Sequence, residues 1–164
     1  MKVFEKIINQ HQTVFQGTLY TIKKKGYPPW QPSGIEGRYN GSGTSAYYFG
    51  DSPITCSREK QNANPDANLQ DYELFALPIN NGTFVDLGAV EGTRFIQHKK
   101  YGGWLPTQEL SSYFNNRNIL GFRYASQACI QQGYGGTCFC IYESRLELSE
   151  NDFQKLDIHE FLQM

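Results

Sequence analysis

The 164-residue chain is predicted to fold as one α+β domain, on three observations. Short runs rich in β-branched and aromatic residues recur along it, bounded by Gly, Pro, Asn or Ser. Helical patterns are few, and they lack the regular strand–helix–strand alternation of a parallel α/β sheet. No internal repeat, low-complexity tract or composition break interrupts residues 1–164, so no linker divides them.

The elements follow in order. Phe4, Ile7 and Ile8, then Val14 and Phe15, recur at helical spacing and predict an amphipathic helix over residues 3–12. Thr18 to Lys24 reads as a strand. Gly26 to Asn40, with Pro28, Pro29 and Pro32, reads as a long loop. Ala46 to Phe49 is a short strand. Ser52 then caps a helix with Pro53 at its first position, where the missing N–H costs nothing. Tyr72–Ile79 and Thr83–Leu87 are strands joined by a turn at Asn80-Asn81-Gly82. Pro106 or Thr107 opens a helix to about Asn116. Ile119–Tyr124 and Thr137–Tyr142 supply two more strands, and Ser149 with Asp152 resembles a capping pair for a C-terminal helix.

Composition narrows the function classes. A net charge of −1 leaves no basic footprint for a nucleic-acid groove. No apolar run is long enough for a membrane span. Met1-Lys2-Val3-Phe4-Glu5-Lys6 leads into polar residues, so no signal peptide is expected and the expected site of action is the cytoplasm. Cys56, Cys129, Cys138 and Cys140 lack Cys-x-x-Cys spacing, and three lie in core-like stretches, so buried free thiols are expected.

Three segments carry the chemistry: Gly37-Arg38-Tyr39-Asn40, Tyr48 to Glu59, and Gly121 to Gln127. Arg38, flanked by a glycine, suits bidentate contact with a phosphate. Tyr48 ends a strand and can stack on a ring, while Tyr47 must face the other side of the sheet. Glu59 lies about two turns into its helix, where a carboxylate can steady positive charge on a sugar ring. Together they suit a dinucleotide with a cleavable glycosidic bond. Each residue also has an ordinary reading: a solvated helix glutamate beside Arg58 and Lys60, a surface salt bridge for Arg38, a core tyrosine, a capping serine at Ser126.

Rival chemistries lack their parts. His11, His98 and His159 are scattered, so Ser126 has no base and reads as a hydrogen-bonding positioner rather than a nucleophile. No His/Cys/carboxylate cluster has metal-ligand spacing, so no metal is expected. Gly133-Tyr134-Gly135-Gly136 precedes a strand, the wrong context for a dinucleotide fingerprint.

From about Leu19 to Tyr142 the order and spacing of these motifs resemble the RES domain, a bacterial family related in fold to ADP-ribosylating toxins. Arg38, Tyr48 and Glu59 fall on its glycine-arginine-aromatic-asparagine turn, strand and helix. Ile119-Leu120-Gly121, Tyr124-Ala125-Ser126 and Thr137 to Tyr142 match its later strands. The resemblance implies an ADP-ribosyltransferase-like split antiparallel β core with flanking helices and a long loop over the cleft. It implies NAD+ as substrate, with Glu59, Arg38 and Ser126 catalytic, and Tyr48, Tyr39, Asn40 and Gln127 among the binding residues. It also implies a toxin that cleaves the nicotinamide–ribose bond, by hydrolysis or phosphorolysis, with an antitoxin or immunity protein as partner. A mono-ADP-ribosyltransferase and a secreted effector are the neighbouring alternatives.

One departure stands out. Where the family usually carries its first arginine, this chain has Thr21, with Lys23 two residues on and hence on the same strand face. Lysine supplies a flexible point charge without arginine's planar fork. A catalytically weakened relative that only binds a nucleotide or a partner is therefore the reading from a different class.

Overall fold

The computed structural model describes residues 10–33, 44–89 and 118–162. Six strands form one sheet: β1 (Gln12–Lys24), β2 (Ala46–Gly50), β3 (Tyr72–Asp86), β4 (Ile119–Ala125), β5 (Thr137–Tyr142) and β6 (Gln154–Leu156). Their order is β1-β2-β5-β4-β3-β6, and β1 also pairs with β3, so five strands close into a small barrel with β6 added outside. Every pairing is antiparallel except β3 with β4. The closure is uneven. β1 and β3 pair along almost their whole length, whereas β1 meets β2 only at Tyr20 and Gly50.

Among the described residues three α-helices accompany the sheet: α1 (Pro53–Ala63), α2 (Gln127–Gln131) and α3 (Ile158–Phe161). The mixed α+β class is as predicted, and strands dominate it. Among the described residues no helix is long and apolar enough to cross a membrane.

Alternation along the strands builds the core on both faces. Leu19, Tyr47, Phe49, Leu77, Ile79, Phe84, Phe139 and Ile141 form one buried cluster, joined by Leu120 from β4. It draws on all five ring strands and so fills the barrel. The alternate residues Cys138, Cys140 and Tyr142 belong to a second cluster with Phe122 and Tyr124, against which Tyr48 packs. Gly121 lets β4 and β5 meet, because a Cβ there would sit 1.7 Å from the Cys140 carbonyl oxygen. The thiols of Cys56, Cys129, Cys138 and Cys140 are all free and buried, as expected.

The structure corrects several boundaries. The strand expected from Thr18 begins at Gln12, so Val14 and Phe15 belong to β1 and not to a helical pattern. Most of the helix expected over residues 3–12 lies outside the described residues, as does the one expected up to Asn116. The turn expected at Asn80-Asn81-Gly82 does not break the chain: β3 runs through it. Gly82 pairs with Phe15 and Ile79 with Gly17, so Asn80 and Asn81 bulge opposite Gln16 alone. Asn81 takes the left-handed conformation, φ 56°, which asparagine tolerates. The capping box of Ser149 and Asp152 forms, yet it opens a single 3-10 turn, Glu150–Asp152, followed by β6 and the one-turn α3. Of the long loop, Gly26, Tyr27, Pro28 and Trp30 line a separate groove with Phe75 and Phe153.

Candidate active site

The start of α1 is fixed locally. The Ser52 side chain accepts from the Thr55 N–H at 3.1 Å, and Pro53 occupies the first turn. Thr55 Oγ1 donates to Asp51 Oδ1 at 2.7 Å. The helix is then tied to the barrel where β1 and β2 meet: Cys56 Sγ donates to the Tyr20 carbonyl at 3.1 Å. Gly50 permits that approach, since a Cβ on it would lie 2.8 Å from Cys56 Sγ.

Cys56, Glu59, Lys60 and Ala63 stand at i, i+3, i+4 and i+7 of α1, one helical face, and all line a cavity of about 350 Å³. Thr21 and Lys23 of β1, Tyr48 of β2, Tyr124 of β4 and Cys138 of β5 complete its principal walls. That volume falls in the range of small-ligand sites, roughly 300–1,000 Å³.

Glu59 is half-buried and held from the side. Ser126 Oγ donates to Glu59 Oε1 at 2.6 Å, and the Cys138 thiol approaches the same oxygen at 3.5 Å. Burial first, then the Glu59 charge, pushes the Cys138 thiol up, so it stays protonated and able to donate. Among the described residues no donor reaches Oε2. The described contacts of the carboxylate thus converge on one oxygen, Oε1.

Ser126 is fully buried and held in turn. It precedes α2, its Oγ accepts from the Cys129 N–H at 3.1 Å, and its own N–H donates to the Gly136 carbonyl at 2.9 Å. The capping reading and the site reading of this serine coexist in one side chain. Next to Glu59, the Arg58 guanidinium lies 3.5 Å from the centre of the Tyr134 ring, which braces α1 against the segment before β5.

The structure thus brings Glu59, Tyr48, Thr21 and Lys23 to one cavity and links Ser126 to it through Glu59. Tyr47 points the opposite way: its hydroxyl accepts from the Leu148 N–H at 3.2 Å and donates to the Trp30 carbonyl at 3.3 Å. Gln127 begins α2 and is not among the cavity's walls. Arg38, Tyr39 and Asn40 lie outside the described residues. Lys60, Cys56, Tyr124 and Cys138 were missed from sequence. Helical spacing from Glu59 was a usable signal for the first two.

A protein-family model, the RES domain, matches residues 18–159. The chain belongs to the RES domain family. Its match extends the resemblance beyond Tyr142 to take in β6 and the start of α3. No curated protein matches the chain. Among solved structures, a chain from the crystal structure of the M. tuberculosis MbcT–MbcA toxin–antitoxin complex is similar. The TM-score is 0.67 at 14% identity, covering 98% of this chain and 97% of that one. At that identity the likeness speaks for the shared fold. Among the described residues no group of three His, Cys, Asp or Glu side chains is placed to hold a metal.

Proposed function

We propose that this RES domain is a toxin enzyme that cleaves the nicotinamide–ribose bond of NAD+. The observation that carries the reading is the Ser126–Glu59 hydrogen bond of 2.6 Å, because it fixes a carboxylate on a cavity that Tyr48 also lines. As the C1′–N bond breaks, its electron pair leaves with nicotinamide and positive charge spreads over the ribose. Glu59 Oε2 accepts a hydrogen bond from a ribose hydroxyl and stabilises that charge, in the way carboxylates serve glycosidases. Ser126 holds Glu59 in place and Tyr48 packs on a ring of the substrate. Arg38, with Tyr39 and Asn40, meets the pyrophosphate. Water then adds hydroxide to C1′ and releases a proton, giving ADP-ribose; phosphate as acceptor gives the 1-phosphate ester.

The ADP-ribosyltransferase-like arrangement of the cleft belongs to the same proposal, as does an antitoxin or immunity protein that covers it. The toxin–antitoxin setting of the MbcT–MbcA structure supports that partner. A second reading is favoured by one observation: Thr21 lines the cavity where the family resemblance calls for arginine. On that reading the domain binds a nucleotide and turns it over poorly or not at all.

The test is incubation of purified protein with NAD+ labelled in its adenylate half, with and without phosphate or cell lysate. Label in free ADP-ribose or its phosphate ester, lost in Glu59→Gln, is the expected result. Label on macromolecules moves the assignment to a transferase. Intact NAD+ in every arm contradicts the enzymatic reading and leaves the binder.

A further inference from the structure

Besides Glu59, the cavity wall carries two cations, Lys23 from β1 and Lys60 from α1. Among the described residues neither takes part in an ion pair. Lys60 Nζ lies over the face of the Tyr72 ring, 5.4 Å from its centroid. Burial, and after it the Lys60 charge, holds Lys23 below the ordinary lysine value, and burial lowers Lys60 as well. Like charges borne by two residues of one partly desolvated wall oppose the empty state and favour an anion beside them.

We propose that Lys23 and Lys60 together grip a single phosphate group in this cavity. The inference rests on the dinucleotide reading above and names side chains that hold the substrate's charge. Its geometry follows from the chain. Thr21 is short, so the wall it forms leaves the Lys23 side chain two residues on to reach the same space. Lys60 directly follows Glu59 on α1, and both residues line the same cavity, so the helix holds the sugar-facing carboxylate and the phosphate-facing ammonium side by side. A pair of point charges tolerates a phosphate that is either esterified or free, where a guanidinium fork would impose bidentate geometry.

The experiment is isothermal titration of the full chain with ADP-ribose and, separately, with inorganic phosphate. It uses Lys23→Met, Lys60→Met and the double variant, since methionine keeps the apolar stem of the side chain. Each single change is expected to weaken binding about tenfold or more. The double variant should lose less than the product of the two, because both lysines hold one group. Lys60→Arg restores affinity, and Lys60→Met leaves the melting temperature unchanged or higher, which a structural role for Lys60 would not.

Phosphate binding that vanishes in the double variant assigns the clamp to free phosphate. ADP-ribose binding that vanishes, with phosphate inert, assigns it to the ester. Folded variants that bind like wild type overturn the clamp, as does wild type binding neither ligand. Nicotinamide release by wild type is read in parallel. Release with an unchanged KM in the double variant refutes the clamp and spares the NAD+ reading; no release with phosphate still bound does the reverse.

Discussion

Ser126→Ala separates the structural and the chemical work of one hydroxyl. The side chain is fully buried, donates to Glu59 Oε1 at 2.6 Å and accepts from the Cys129 N–H at 3.1 Å. Losing the cap on α2 costs about 1 kcal/mol. Losing a hydrogen bond to a charged group costs about 1.5–3 kcal/mol. Together they predict a fall in melting temperature of roughly 5–15 °C for a domain of this size. Among the described residues the carboxylate keeps only the weak S–H donor of Cys138 on the same oxygen. Its second oxygen is then free to wander, and kcat should drop about ten- to a hundredfold with KM nearly unchanged. Thermal unfolding and steady-state NAD+ turnover measured on one preparation decide it. A destabilised variant with full kcat would show that the hydroxyl is a cap and nothing more, and the positioning argument would be wrong.

Three further outcomes are expected. Cys56 and Cys140 are pushed up to about 12 by burial, and Cys138 is raised as well, so at pH 8 all three should alkylate about a thousandfold more slowly in the folded than in the unfolded chain. Mass spectrometry after timed iodoacetamide treatment checks this, and fast labelling of Cys56 would contradict its packing against β1. Gly121→Ala should prevent folding or leave only insoluble protein, because its Cβ would overlap the Cys140 carbonyl; a soluble variant with native circular dichroism would refute that contact. Tyr48→Leu keeps apolar bulk but removes the ring, and should raise KM for NAD+ about tenfold, the scale of one lost stacking contact. An unchanged KM would remove Tyr48 from the binding surface.

How much of this was legible beforehand depends on how local each signal is. The start of α1 was readable because Ser52 and Pro53 act within one turn. The strands over Ala46–Gly50, Ile119–Ala125 and Thr137–Tyr142 were readable because their apolar and aromatic residues alternate between two buried clusters. The bulge at Asn80 and Asn81 was not, since only the pairing with β1 keeps β3 continuous through a stretch that in isolation favours a turn. The same pairing draws Val14 and Phe15 into a strand against their helical spacing. The contact between Ser126 and Glu59 spans 67 residues, and no local pattern announces it. Lys60 went unread for a different reason: beside Glu59 and Arg58 it looks like part of a solvated charged face, and only the docking of α1 on β1 turns it inward.

The central claim is that the Glu59 carboxylate drives loss of NAD+. Its most direct measurement is the NAD+ pool of cells expressing wild type or Glu59→Ala at equal soluble levels. The pool should collapse with wild type and hold with the variant. Equal pools in the two cultures, whether both full or both depleted, would contradict the account.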